Sequence, residues 1–331
     1  MSGLQYTNSK WLTLINKCLK DKPSYCKGFV NYLSDASITT KYTYLTYVLN
    51  FIKYIDKDVS EITMDDFLDY MSYIEYKEDG EMTTPSYRIA QYSAIKKFCH
   101  YLYSTNRINA NYMEHVKRPK AYDTQKTIKK REIGYLTKKE IDKYINNVEF
   151  NYFSSRERQI GDKWNKRDLV IIKVFLYTGI RCSALLKLDV TDIDLNKKEL
   201  VVTDKGSKVK EYSIPESLLD DLKDWLTIRE DILHEKGIDE EALFISNRGC
   251  RMNQSSVSRI VNKYSDCIKG KNITPHKLRA TYGTQLYEAT KDVYFVQECM
   301  GHSNPKTTEL YIRSKNENMK KASDIMDKII N

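Results

Sequence analysis

Glu199-Leu-Val-Val-Thr203, Asp204-Lys-Gly-Ser-Lys208 and Val209-Lys-Glu-Tyr-Ser-Ile214 read together as a β-hairpin. Two short runs of strand-forming residues flank a Gly-containing turn. Everything around this hairpin carries helical patterning, so it decides the fold class: mainly α with a small antiparallel β-sheet. Downstream, helical patterning resumes at Glu216, interrupted only by the short apolar run Ala242 to Ile245. Upstream, Thr137 opens a short helix over Lys138 to Asn146. A long apolar helix then runs through Leu169 to Tyr177 until Gly179 ends it.

Further upstream the chain changes character. Between Lys117 and Arg131 stand seven basic residues (Lys117, Arg118, Lys120, Lys126, Lys129, Lys130 and Arg131) against one acid, Asp123. With Pro119 and no apolar periodicity, this reads as an exposed linker. Before it the pattern is helical again. Ser37 and Thr39 are N-cap candidates for a helix with Tyr44, Tyr47, Val48, Phe51, Ile52 and Ile55 at three- and four-residue steps. Thr63 precedes a second helix with Phe67, Leu68, Met71 and Ile74 on one side. Thr83, Thr84 and Pro85 open a third, carrying Ile89, Tyr92, Ile95, Phe98, Cys99 and Leu102. One or two further short helices are expected in the first 35 residues. The expected organisation is a helical bundle over 1–118, a basic linker over 119–133 and a mixed α/β domain over 134–331.

Composition bounds the function. The chain has 331 residues, 54 Lys plus Arg against 45 Asp plus Glu, and a formal charge of +9, which suits a polyanionic partner. Seven cysteines, odd in number and never spaced C-x-x-C, argue against a disulfide framework and a zinc site. No run approaches the ~18 apolar residues of a membrane span. No secretory signal pattern opens the chain, so a cytoplasmic protein is expected. Phosphate-binding glycine loops, dinucleotide fingerprints, calcium loops and G-x-S-x-G elbows are all missing from the sequence.

Four pieces stand out in order: Tyr177-Thr-Gly-Ile-Arg181-Cys-Ser-Ala-Leu-Leu-Lys-Leu188, Lys205 in the hairpin turn, His276-Lys-Leu-Arg279, and Met300-Gly-His302 with Tyr311 nine residues on. Each has an ordinary reading. Arg181 can cap a helix end, Lys205 and Lys208 can be solvated turn residues, and His276 with Arg279 can form a polar helix stripe. Tyr311 is one of 26 tyrosines. Together the pieces resemble the catalytic constellation of the tyrosine recombinases, the phage-integrase family of DNA strand-exchange enzymes. The helical first half resembles that family's core-binding domain. The segment from Leu136-Thr-Lys-Lys-Glu-Ile141 onward resembles its catalytic domain.

The resemblance implies a two-domain clamp on duplex DNA, with Tyr311 as nucleophile, His276 as base, Lys205 as acid for the 5′-oxygen, and Arg181, Arg279 and His302 on the phosphate oxygens. No cofactor or metal is implied. The chemistry is consistent with this: without a metal, two arginines able to donate bidentate bonds are natural partners for a phosphodiester. A tyrosine of ordinary pKa about 10 needs a base and a cationic surrounding to attack. Ala184 departs from the family, which more often has an acid there. Lys208 remains an alternative to Lys205. Arg88, Lys96 and Lys97 are candidate DNA contacts or a solvated helix face. Met319, Ala322, Ile325, Met326, Ile329 and Ile330 form an apolar stripe. By resemblance, helix 319–330 is exchanged between protomers of a homotetramer on two DNA sites; the other reading is packing on its own domain. The competing functions are a type IB-like topoisomerase and a catalytically silent DNA-binding protein of the same fold.

Overall fold

A computed structural model describes residues 3–120, 134–150, 155–203 and 209–301. These fall into two compact units that divide between Gln125 and Lys126.

The first unit is helical: α1 (Gly3–Leu19), α2 (Ser24–Tyr32), α3 (Ile38–Ile55), α4 (Met64–Tyr73) and α5 (Pro85–Ser104). Its helix starts follow capping chemistry. The Ser37 hydroxyl accepts from Thr40 N–H at 3.2 Å. Thr63 and Asp66 form a reciprocal capping box. Thr84 caps α5, with Pro85 in the first turn where its missing N–H costs nothing. Phe29, Leu45, Val48, Phe51, Phe67, Tyr70, Ile95, Phe98 and Leu102 fill the core.

Two expectations need correcting in this unit. Leu68 is 43% exposed, and Tyr70 takes the inward position on α4, stacked edge-on to Phe51 at 5.0 Å. Arg88 is buried with its guanidinium 3.9 Å from Glu75, so it does not join a solvent-facing basic set. Lys96 and Lys97 are exposed on α5, as are Lys117, Arg118 and Lys120 further on.

The second unit contains α6 (Lys138–Phe150), α7 (Ser155–Thr178), α8 (Cys182–Leu185), β1 (Ile193–Asp194), β2 (Glu199–Thr203), β3 (Val209–Ser213), α9 (Glu216–Lys236), α10 (Gln254–Lys263), α11 (Pro275–Thr290) and α12 (Val293–Met300). Helix α6 runs one turn beyond the expected Asn146. Helix α7 is apolar on several sides, with Leu169, Val170, Ile171, Ile172, Val174 and Phe175 all buried. Such a helix needs cover all round, and α6, α9, α10 and α11 supply it.

The expected hairpin is present, and β1 extends it to an antiparallel sheet in the order β1-β2-β3. Val202 pairs with Lys210, and Thr203 with Val209 at the ends of the two strands. An ionic network around Asp168 is buried. The Arg167 guanidinium donates to Asp168 at 2.7 Å and to the Ile245 carbonyl at 3.0 Å, while the Tyr264 hydroxyl donates to Asp168 at 2.9 Å.

Candidate active site

Helix α7 ends where the chain must turn left-handed. Gly179 has φ +59°, and a Cβ there would lie 2.2 Å from Cδ1 of Tyr282. Only glycine meets both demands. The turn delivers Arg181 to the N-cap of α8, in extended conformation, where its carbonyl accepts from Ala184 N–H at 2.9 Å and Leu185 N–H at 3.0 Å. The Arg181 side chain is partly exposed. Ala184, standing where an acid is more common in the family, is 2% exposed in the core. A methyl therefore fills a site where a carboxylate would need a partner.

Helix α11 supplies the next two candidates. The Thr274 hydroxyl caps it, accepting from Lys277 N–H at 3.3 Å, and Pro275 opens its first turn. His276 is exposed while Arg279, one turn on, is buried, so the two do not form a plain polar stripe. The Arg279 guanidinium donates through Nη1 to the Gly179 carbonyl and through Nη2 to the Met300 carbonyl, the latter at 2.7 Å. These bonds join the segment that leads to Arg181 with the helix end that leads to His302. They also hold the planar group in one orientation.

Helix α12 begins at Asp292, whose carboxylate accepts from Tyr294 N–H at 2.8 Å and Phe295 N–H at 3.1 Å. It ends at Gly301 in left-handed conformation. The Lys210 ammonium, from β3, donates to the Glu298 carbonyl and lies 3.5 Å from that of Cys299.

The structure thus gathers Arg279, the turn bearing Arg181 and the approach to His302, with His276 on the same helix as Arg279. Lys205, Lys208, His302, Tyr311 and helix 319–330 lie outside the described residues, as does most of the basic linker. Sequence reasoning missed Tyr282 and Lys210. Tyr282 lays its ring on Gly179 and bonds its hydroxyl to Cys299. Burial keeps the Tyr282 phenol above its ordinary range, and does the same to the Cys299 thiol. With its ring laid against Gly179, Tyr282 serves the packing of this turn. An anionic phosphodiester suits the cationic side chains of this region.

Among known proteins, the phage integrase family matches residues 135–318. Tyrosine recombinase XerS of Streptococcus equi subsp. zooepidemicus is 35% identical over 179 residues, covering 53% of this chain and 50% of that protein. The chain thus spans about half the length of that streptococcal relative. Tyrosine recombinase XerC of Caldanaerobacter subterraneus subsp. tengcongensis is 26% identical over 327 residues, covering 91% of this chain and 86% of that one.

Among solved structures, a post-cleavage complex of the XerH site-specific recombinase bound to palindromic difH substrate superposes with a TM-score of 0.71 at 20% identity. It covers 96% of this chain and 89% of that one. A lambda integrase dimer bound to a COC′ core site gives 0.62 at 17% identity, covering 88% and 96%. At such identities the likeness shows the fold. The family match covers more than half of the chain and includes every turn and helix built up above from Leu136 to Gly301, and the chain belongs to the phage integrase family.

Proposed function

We propose that the chain is a site-specific DNA recombinase that breaks and rejoins strands through a 3′-phosphotyrosyl intermediate. In this reading the Tyr311 hydroxyl gives its proton to His276 and attacks the scissile phosphorus. The bond from phosphorus to the 5′-oxygen breaks, and Lys205 supplies the proton that the leaving oxygen takes up. Arg181, Arg279 and His302 balance charge on the non-bridging oxygens. A 5′-hydroxyl from another strand then reverses the step, so the bond energy is kept. The substrate is duplex DNA, and the assembly is a homotetramer on two sites, with segment 319–330 reaching between protomers.

The observation that carries the reading is Arg279, whose two carbonyl bonds bring the approaches to Arg181 and His302 together. The named recombinases similar to this chain support it. To test it, the protein is incubated with a random-sequence duplex library, and DNA that stays attached after denaturation is captured and sequenced. A recurring cleavage sequence is expected with the unmodified chain, and Tyr311→Phe should abolish the adduct while binding persists. Adduct in that variant would refute Tyr311 as nucleophile. Relaxation of supercoils with no joining between two recovered sites would favour the topoisomerase reading.

A further inference from the structure

Lys210 sits where the sheet's pattern calls for an apolar residue. On β2 the buried residues are Leu200 and Val202, and their partners across the ladder are Tyr212 and Lys210. On β3 it is Lys210 and Tyr212 that are partly covered, while Val209 is 61% exposed. A lysine has thus taken an inner position and a valine an outer one. Covering an ammonium costs desolvation, so the placement calls for a reason other than core packing.

Its contacts supply one. The ammonium donates to the Glu298 carbonyl and lies 3.5 Å from that of Cys299, at the C-terminal end of α12. The Glu298 carbonyl also accepts from Gly301 N–H at 3.1 Å, and the negative end of the helix attracts the added cation. The lysine stem also lies over Gly301: a Cβ on that glycine would sit 3.1 Å from Lys210 Cε. His302 is the next residue. At the other end, Lys210 is one residue inside the last hairpin pair, Thr203 with Val209. That pair bounds residues 204–208, which include Lys205.

We propose that Lys210 is a positioning residue of strand cleavage, an ammonium latch that holds the hairpin carrying Lys205 against the end of α12 that leads into His302. This rests on the recombinase reading above. Lys210 makes no bond to DNA in this role; it acts by keeping the leaving-group acid in register with the phosphate-binding groups.

The test uses Lys210→Met, which keeps the stem and removes the charge, and Lys210→Arg, which keeps the charge. On a nicked duplex bearing a recovered site, K210M should slow adduct formation roughly a hundredfold, the scale of a misplaced group, with DNA affinity unchanged. On the same duplex with a 5′-sulfur leaving atom, which needs no acid, K210M should come within roughly twofold of the unmodified chain. K210R should recover most of the loss on the oxygen substrate. Amide hydrogen exchange of the DNA-free protein should show K210M loosening both 209–213 and 296–301.

Equal loss on both substrates, or loss of affinity that accounts for the slower cleavage, would overturn the proposal. If the unmodified chain forms no adduct on any duplex, the recombinase reading fails. Exchange then decides the latch alone, and unchanged protection in K210M overturns it.

Discussion

Replacing Gly179 with alanine strains the chain in two ways. The left-handed conformation at φ +59° costs an L-residue with a Cβ about 1–2 kcal/mol. The new methyl would also stand 2.2 Å from Cδ1, 2.8 Å from Cγ and 2.9 Å from Cε1 of Tyr282. Those are ring atoms backed by the helix, so the ring has to move, and overpacking of this kind costs about 1–3 kcal/mol. Together the expected loss is about 2–5 kcal/mol, a large part of the ~5–15 kcal/mol that holds an ordinary domain folded.

Urea unfolding followed by tryptophan fluorescence reads this directly. Trp164 and Trp225 lie in the second unit with ring centroids 6.4 Å apart. A Trp11→Phe background removes the one tryptophan of the first unit. In a Tyr282→Ala background, which lacks Cγ, Cδ1 and Cε1, G179A should recover the steric part and cost only about 1–2 kcal/mol of backbone strain. A G179A loss under ~1 kcal/mol, or no recovery in the double variant, would refute the account of this turn.

Asp168→Ala would leave the buried Arg167 guanidinium without its carboxylate, and the same assay should show a loss of about 3–5 kcal/mol; a loss below 1 kcal/mol would contradict it. Burial of the Glu140 carboxyl opposes its ionisation, yet bonds from Lys271 and Thr137 outweigh burial and hold its pKa below the ordinary range. Its contribution to stability is present above the ordinary value near 4.3 and fades as pH falls through the lowered one. Glu140→Gln should therefore cost stability at neutral pH and flatten the acid limb; parallel acid limbs would refute this. Burial pushes the Cys26, Cys99 and Cys182 thiols up to about 11, while Cys250 is exposed. Iodoacetamide at neutral pH should label Cys250 in the folded protein and spare those three, with mass spectrometry as the readout.

Local chemistry made much of the fold legible. Ser37, the Thr63–Asp66 pair, Thr84 before Pro85, and Gly179 each act within a few residues of the boundary they set. The hairpin was visible for the same reason. What stayed hidden depends on contacts far apart in sequence. Leu68 and Tyr70 both fit an amphipathic helix, and only the packing of Phe51 against α4 selects Tyr70. Arg88 reads as a surface cation until Glu75 and the helices around it are in place.

In the candidate site, residue types and order were readable for Arg181, His276 and Arg279. That Arg279 would spend two donors on main-chain carbonyls was not, because Gly179 and Met300 contribute through atoms every residue has. Lys210 escaped notice because a lysine in a strand usually marks an outer face.

Arg279 also sets an order of events. Its two carbonyl partners lie 100 positions before it and 21 after it. The chain is made from its N-terminus, so α7 and its glycine turn are complete long before α12 exists. Until Met300 has been added, the guanidinium lacks one of the two bonds that justify its burial. The approaches to Arg181 and His302 therefore come together only late in synthesis. In the recombinase reading, the bonds that gather the site around Arg279 form once α12 is made, while the nucleophile Tyr311 still lies further along the chain.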